Sequence, residues 1–270
     1  MKKNLIFKRN ILAVVLFCIF LPVFADSSLV ITALQAGNAQ SKNKNAKRGF
    51  MPCKGISSLH GTTRKVVALT FDDGPSKGYT EQILKILKSN KIRGTFFFVG
   101  KNVRAYPDIA RAVYREGNVI ANHSYSHQYL SPLDDEEIEW ELIRTSKIVK
   151  QTIGVYPLLF RPPYGACSQG SVRVAKNLNF KTIMWSAVAE DYLSDRTTVE
   201  KITSLILGSV HPGAIILLHD GGGNREKTVE ALKIIINALL SEGYEFVTIP
   251  ELLDLQPYYI PKDAYQKGLT

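Results

Sequence analysis

The 270-residue chain has only three cysteines, three methionines and two tryptophans. Cys18 lies inside an N-terminal apolar run, directly after Phe17, where it is a poor site for lipid attachment. Cys53 and Cys167 remain, and only one pairing exists for them. In an oxidising compartment they could form a disulfide; otherwise they are two separate thiols. No apolar run reaches the ~20 residues that a membrane span needs. No 20–50-residue repeat is visible, and no separate carbohydrate-binding repeat. No basic groove interleaved with aromatics is present, so nucleic acid is not an expected partner.

Charge of one sign does occur in blocks. Lys2, Lys3, Lys8 and Arg9 precede an apolar run of 14 residues, 11–24. Val23-Phe24-Ala25 then offers small residues where a signal peptidase cuts. Residues 1–25 read as a secretory signal peptide cleaved after Ala25; the alternative, an uncleaved anchor, needs a longer run. Removing those four basic residues lowers the formal net charge from +10 to +6. A moderately basic mature protein fits work near anionic polymers of a cell envelope. Residues 26–48 are polar and aperiodic, with four basic residues and no acid over 41–48, and read as a linker. Residues 49–64 are irregular, with Pro52, Gly55 and Gly61. The segment 26–63 is therefore expected to precede the folded domain.

From residue 64 the chain alternates strand and helix signals. Strands are expected at 66–73, 94–100, 118–123, 158–164, 181–187, 214–220 and 245–249. Helices are expected at 79–91, 107–115, 168–178, 199–210 and 227–240, with one more opening at Ser131-Pro132 and ending at Gly154. Alternation of this kind means a parallel α/β sheet, and about seven such units favour a (β/α) barrel over an open sheet. Residues 256–270 read as a surface tail.

Functional groups of such folds gather at the carboxyl ends of the strands. The first strand ends in Asp72-Asp73, two adjacent carboxylates that are costly to bury without partners. The third delivers His123, with His127 four residues on. The fourth delivers Arg161 to Tyr164, the fifth leads to Asp191 and Tyr192, and the sixth ends in His219 and Asp220. A pair of histidines alone is weak as a metal signal. With one carboxylate from another strand end it becomes a two-His, one-Asp set with open positions, for which zinc is the default. One acid of the pair then binds metal and the other serves as base, with Arg161 holding that base ionised. His219 is the remaining titratable group and a candidate general acid. His60 and His211 fall outside the pattern.

These residues resemble the motifs of the polysaccharide deacetylases with a NodB-type domain, carbohydrate esterase family four, over about residues 66–255. TFDDGP at 70–75, HSYSH at 123–127, RPPYG at 161–165 and Leu217-Leu218-His219 are similar to four of that family's motifs. The resemblance implies a distorted (β/α) barrel spanning 64–255 and one divalent metal ion. It implies that Asp72 is the base, that Asp73, His123 and His127 are metal ligands, and that Arg161 orients Asp72. The Tyr164 backbone N–H would help bind the oxyanion, and Leu217 would line the acetyl pocket. His219 would be general acid, tuned by Asp191 together with Arg161. The remaining motif departs: Val188 stands where the family often has Asp, and Tyr192 where it has Trp, so Tyr192 would wall the groove.

The implied reaction is metal-assisted removal of N-acetyl groups from an acetylated glycan polymer. Peptidoglycan is the first choice, with chitin-like or poly-N-acetylglucosamine polymers second and O-acetyl esterase activity a further option. The protein is expected to be exported and monomeric, with no organic cofactor. A non-catalytic glycan-binding protein is the competing reading, against which the intact set of acids, histidines and Arg161 argues. A phosphoester hydrolase is disfavoured by the single three-ligand site.

Overall fold

The computed structural model describes residues 51–193 and 196–260. The expected signal peptide at 1–25, most of the linker and the last ten residues lie outside the described residues. Among the described residues no helix is long and apolar enough to cross a membrane.

The centre of the fold is β2, Val66–Asp72, buried along its whole length. Its side chains alternate with period two. Val67, Leu69 and Phe71 join the core cluster that the outer helices cover, whereas Val66 and Ala68 join a second, inner cluster. The same alternation places Thr70 and Asp72 on the inner face. β10, Ala214–His219, repeats the pattern beside it. Ile216 and Leu218 pack outward and Ile215 inward, so Leu217 and His219 share the inner face. The two strands pair in parallel with Asp72 opposite His219.

β3 (Thr95–Phe98), β4 (Val119–Asn122), β6 (Leu159–Phe160) and β8 (Lys181–Thr182) extend the sheet in parallel on one side of β2. β9 (Ala187–Val188) pairs with β10 on the other side. The strand expected over 181–187 is therefore two short strands with a bend between them, and that one segment pairs with both ends of the sheet. This bend closes the distorted barrel. Residues 56–59 strap the opening: Ile56 bridges Ile183 and Ser58 bridges Ala214. β11 (Glu245–Val247) shares with β3 the same edge of β2, taking Val66 to Ala68 while β3 takes Thr70 to Asp72. The sheet thus has eight strands, one more than expected, because the fifth is split.

The helices α1 (Tyr79–Ser89), α3 (Pro107–Arg115), α5 (Gln169–Asn177), α6 (Val199–Ser209) and α7 (Glu226–Ser241) follow the expected positions within two residues. Two others do not. α2, Gly100–Ala105, occupies the end of an expected strand. It is a short helix packed against the long helix at Asp135–Ile153, where a Cβ at Gly100 would lie 2.5 Å from Thr145 Oγ1. α4 runs Asp135–Ile153 rather than opening at Ser131. Asp134 caps it, accepting from the Glu137 N–H at 2.9 Å while Glu137 accepts from the Asp134 N–H at 2.9 Å. That reciprocal box satisfies two donors, more than a Ser-Pro start can. Gly154 ends α4 in the left-handed conformation, as expected.

α8 (Ile249–Leu253) closes the amino-terminal end of the inner cluster through Ile249 and Leu252. β12 (Tyr258–Tyr259) pairs with β5 (Tyr156–Pro157), so the part of the tail that is described lies on the domain. Cys53 and Cys167 are joined as a disulfide with Cα atoms 4.8 Å apart. It ties the segment after β1 (Met51–Pro52), just ahead of the strap, to β7 (Ala166–Cys167), the antiparallel partner of β1 and the stretch that follows RPPYG.

Candidate active site

The carboxyl ends of β2, β4 and β10 face one depression, and the loops after them supply its chemistry. Asp73 follows β2 with φ 75°, a left-handed backbone that swings its carboxylate away from that of Asp72. Asn102 Nδ2 donates to the Asp73 carbonyl at 2.7 Å and holds this turn. Ser124 and His127 are also left-handed, at φ 62° each. This folds the loop so that both imidazoles return to the same point.

One ligand atom each from Asp73, His123 and His127 lies within 4.8 Å of the others. Asp73 Oδ1 is 2.9 Å from His127 Nε2 and 3.4 Å from His123 Nε2. It is nonetheless a buried oxygen without a well-directed hydrogen bond. His123 Nδ1 lies 2.7 Å from the Arg161 carbonyl, which can only accept, so Nδ1 carries the proton and the Nε2 lone pair faces Asp73. An orphaned carboxylate oxygen and imidazole nitrogens converging on it form a donor set that suits a divalent cation. Burial opposes the charge of Asp73, but the neighbouring His123 and His127 pull its carboxyl far below the usual range.

Asp72 is 3% exposed and Arg161 is fully buried. Arg161 Nη1 donates to Asp72 Oδ1 at 2.7 Å and to Thr70 Oγ1 at 2.8 Å. Its Nε and Nη2 donate to the carbonyls of Ile183 and Met184, in the bend of the fifth strand segment, at 3.1 and 2.9 Å. Phe97 lies under the guanidinium at 4.0 Å. The partners come from β2, β3 and the bend between β8 and β9, so Arg161 locks the inner face around the carboxylate.

On the other side, His219 Nδ1 is 2.8 Å from Asp191 Oδ1, and the His219 N–H donates to Asp191 Oδ2 at 2.8 Å. A carboxylate only accepts, so Nδ1 carries the proton and Nε2 is left for the site. Burial disfavours the imidazolium, but Asp191 overrides it and pushes His219 up to about 9. The expected help of Arg161 in tuning this pair is replaced by another arginine. Arg161 points to Asp72, whereas Arg225, buried at 3% exposure, donates to the Asp191 carbonyl at 2.8 Å and to the Gly221 carbonyl at 2.7 Å. Thr228 Oγ1 donates to Asp191 Oδ2 at 3.0 Å. Arg225 follows a Gly-rich turn; its signal was a charged residue just ahead of the apolar face of α7.

The His219–Asp191 pair has a consequence in the metal-free protein. Its folded pKa is raised above the unfolded ~6.5, so its stabilisation is fully present below pH ~6.5 and disappears as pH rises through about 9. The excess stability of wild type over His219→Gln in urea denaturation should shrink by up to about 3 kcal/mol between pH 6 and pH 10. A pH-independent difference would contradict this coupling.

The sequence model of the family described as polysaccharide deacetylase matches residues 60–183. A peptidoglycan-N-acetylglucosamine deacetylase of Bacillus cereus is 38% identical over 189 residues, covering 70% of this chain and 88% of the relative. The chain belongs to the polysaccharide deacetylase family. A chitooligosaccharide deacetylase of Rhizobium leguminosarum bv. trifolii is 33% identical over 202 residues, 71% of this chain and 93% of the relative. Among solved structures, the Bc1960 peptidoglycan N-acetylglucosamine deacetylase superposes with a TM-score of 0.72 at 34% identity, over 76% of this chain and 94% of that one. The NodB-type resemblance and the barrel are thereby established, as is the reaction class, hydrolytic N-deacetylation at an amide bond.

The other expected site residues of this polysaccharide deacetylase surround the same depression. Leu217, 4% exposed, lies opposite Val188 and Thr70 on the inner face. Tyr164 is left-handed at φ 60°, its ring edge-on to His127 at 4.7 Å. Tyr192, half exposed, sets its ring edge-on to His219 at 5.9 Å. His60 and His211 are exposed and lie outside the site. Two further acids support the site: Glu141, which the sequence reading did not single out, and Asp220, which it placed at a strand end without a role. Glu141, on the buried face of α4, accepts from the N–H groups of Tyr125 and Ser126 at 2.7 and 2.8 Å, from Ser126 Oγ at 2.7 Å and from Gln128 at 3.0 Å, which fixes the histidine loop. Its signal was an acid three residues after Ile138 on the apolar stripe. Asp220, fully buried, accepts from Thr80 Oγ1 at 2.6 Å beneath Gly74, where any Cβ would strike its carboxylate. Burial, with Asp73 and Asp72 nearby, pushes Asp220 up to about 7 against the Thr80 hydrogen bond.

Proposed function

We propose that the protein is an exported, metal-dependent deacetylase that removes N-acetyl groups from N-acetylglucosamine units of peptidoglycan. The observation that carries this reading is the placement of an oriented carboxylate, Asp72, and an oriented imidazole, His219, opposite each other on adjacent strands, beside the Asp73–His123–His127 cluster. The relatives named as deacetylases of peptidoglycan N-acetylglucosamine support the choice of glycan. The basic, apolar and small-residue order of residues 1–25 supports export, with 26–63 as a spacer and 64–255 as the catalytic domain.

Asp73, His123 and His127 would hold the ion, zinc by the nature of the donor set. When bound, such an ion supplies Lewis acidity to the acetamide carbonyl and to the attacking water. Asp72, held in place by the Arg161 hydrogen bond, accepts the proton of that water. The Tyr164 backbone N–H donates to the oxygen that becomes negative, and Leu217 bounds the acetyl methyl. His219, an imidazolium whose Nδ1–H is held by Asp191, gives its Nε2 proton to the departing amine, since an amide nitrogen leaves poorly as an anion. The products are acetate and a glucosamine unit, and Tyr192 flanks the sugar. Acetate release from purified peptidoglycan and from N-acetylated chitooligosaccharides, in parallel, tests the glycan. Faster release from peptidoglycan is expected; release from chitooligosaccharides alone would overturn that choice.

A further inference from the structure

Two aromatic rings stand beside the candidate site without a role in the chemistry above. Tyr129 and Tyr164 are stacked, with ring centroids 4.0 Å apart and planes 17° from parallel. They are 48% and 53% exposed, a contiguous apolar surface next to His127. Tyr164 is held from behind, its ring against His127 and its hydroxyl donating to the His127 carbonyl at 3.2 Å. The histidine loop does not need Tyr129 for support. Glu141 already ties it at four donors, and Ser124 Oγ accepts from the His127 N–H at 3.1 Å. An exposed, rigid apolar patch at the rim of a polar site marks a place where a ligand binds.

The chemistry of that ligand follows from the surface. A pyranose ring presents an apolar face of C–H groups, which complements the electron-rich face of a tyrosine, while hydroxyls at its edge remain in water. Mutual stacking fixes both rings in advance, so little side-chain entropy is lost on binding. A polymer whose reacting unit lies over Asp73, His123 and His127 carries further units beside it, and the two tyrosine rings stand on the His127 side.

We propose that the Tyr129–Tyr164 pair is a binding platform for the sugar unit next to the reacting one, and that through Tyr129 the enzyme prefers longer glycan chains. The proposal rests on the deacetylase reading. It adds a specificity-determining residue four positions beyond Tyr125 in the histidine segment, outside the HSYSH motif.

The test uses the full, metal-loaded protein with fully N-acetylated chitobiose and chitotetraose, and reads both turnover and calorimetric binding. Tyr129→Ala should raise KM for the tetramer about tenfold, equivalent to ~1.4 kcal/mol. Its kcat should be unchanged, its kinetics on the dimer should match wild type, and Tyr129→Phe should behave as wild type. Tyr129→Leu, which keeps an apolar contact for Tyr164 but lacks the aromatic face, should resemble Tyr129→Ala and covers the case in which alanine fails to fold. Unchanged tetramer KM, an equal loss on both substrates, or a fall in kcat alone would overturn the platform. If wild type binds the tetramer but releases acetate neither from it nor from peptidoglycan, the deacetylase reading fails, and the platform is then judged by whether Tyr129→Ala weakens binding tenfold. Absence of tetramer binding by wild type overturns the platform outright.

Discussion

Asp72→Asn should bind metal as wild type does and lose about 10³-fold in kcat. The expected size is that of a general base removed from an otherwise intact site. Asn keeps an oxygen where Arg161 Nη1 donates at 2.7 Å, so the side chain stays in place. What it loses is the ability to take a proton. The buried guanidinium also loses its counter-charge, which makes the fold less stable, since a buried cation deprived of its partner is costly. Arg161 retains the Thr70 hydroxyl and the Ile183 and Met184 carbonyls, so the variant should still fold at room temperature. Metal content and kcat measured on one preparation check both halves. Full activity in a variant shown to be Asn at this position would refute the role of Asp72.

Asp73→Ala should abolish metal binding and activity together. Two imidazoles remain, but the carboxylate oxygen at which they converge is gone. Loss of a ligand from a three-ligand site should weaken the metal by more than the ~10–100-fold that a supporting residue costs. Competition against a chromogenic chelator measures this directly. The apo fold should survive, because Asp73 is partly exposed and its turn is held through the backbone by Asn102. Tight metal binding by a folded Asp73→Ala protein would remove Asp73 from the ligand set.

The contrast between these two neighbours shows what was readable in the sequence. Strand ends and polar residues recurring at them were legible, because period-two alternation in 66–72 and 214–219 is a local property. Strand geometry puts Thr70 with Asp72, and Leu217 with His219, on one face of each strand; that the two pairs share the inner face follows from the register of β2 and β10. The motif set TFDDGP, HSYSH and RPPYG made the site's composition legible as well. The partners were not. That Arg225, rather than Arg161, attends Asp191 depends on how α7 docks, a contact across 34 residues. Glu141 serves a loop 13 to 16 residues away, and Asp220 serves Thr80 across 140. The bend that splits 181–188 has no local breaker such as Gly or Pro; it comes from closing the barrel. The start of α4 was legible in principle, since Asp134 and Glu137 form a capping box, and the Ser-Pro pair upstream masked it.

The central claim is that Asp72, His219 and the Asp73–His123–His127 cluster act as one hydrolytic centre. Acetate release from N-acetylglucosamine oligomers, measured on chelator-stripped protein and again after one equivalent of zinc is restored, tests it most directly. The stripped protein should release no acetate and should regain turnover with zinc, which Asp72→Asn should not. Undiminished acetate release by protein shown to be free of metal would contradict it.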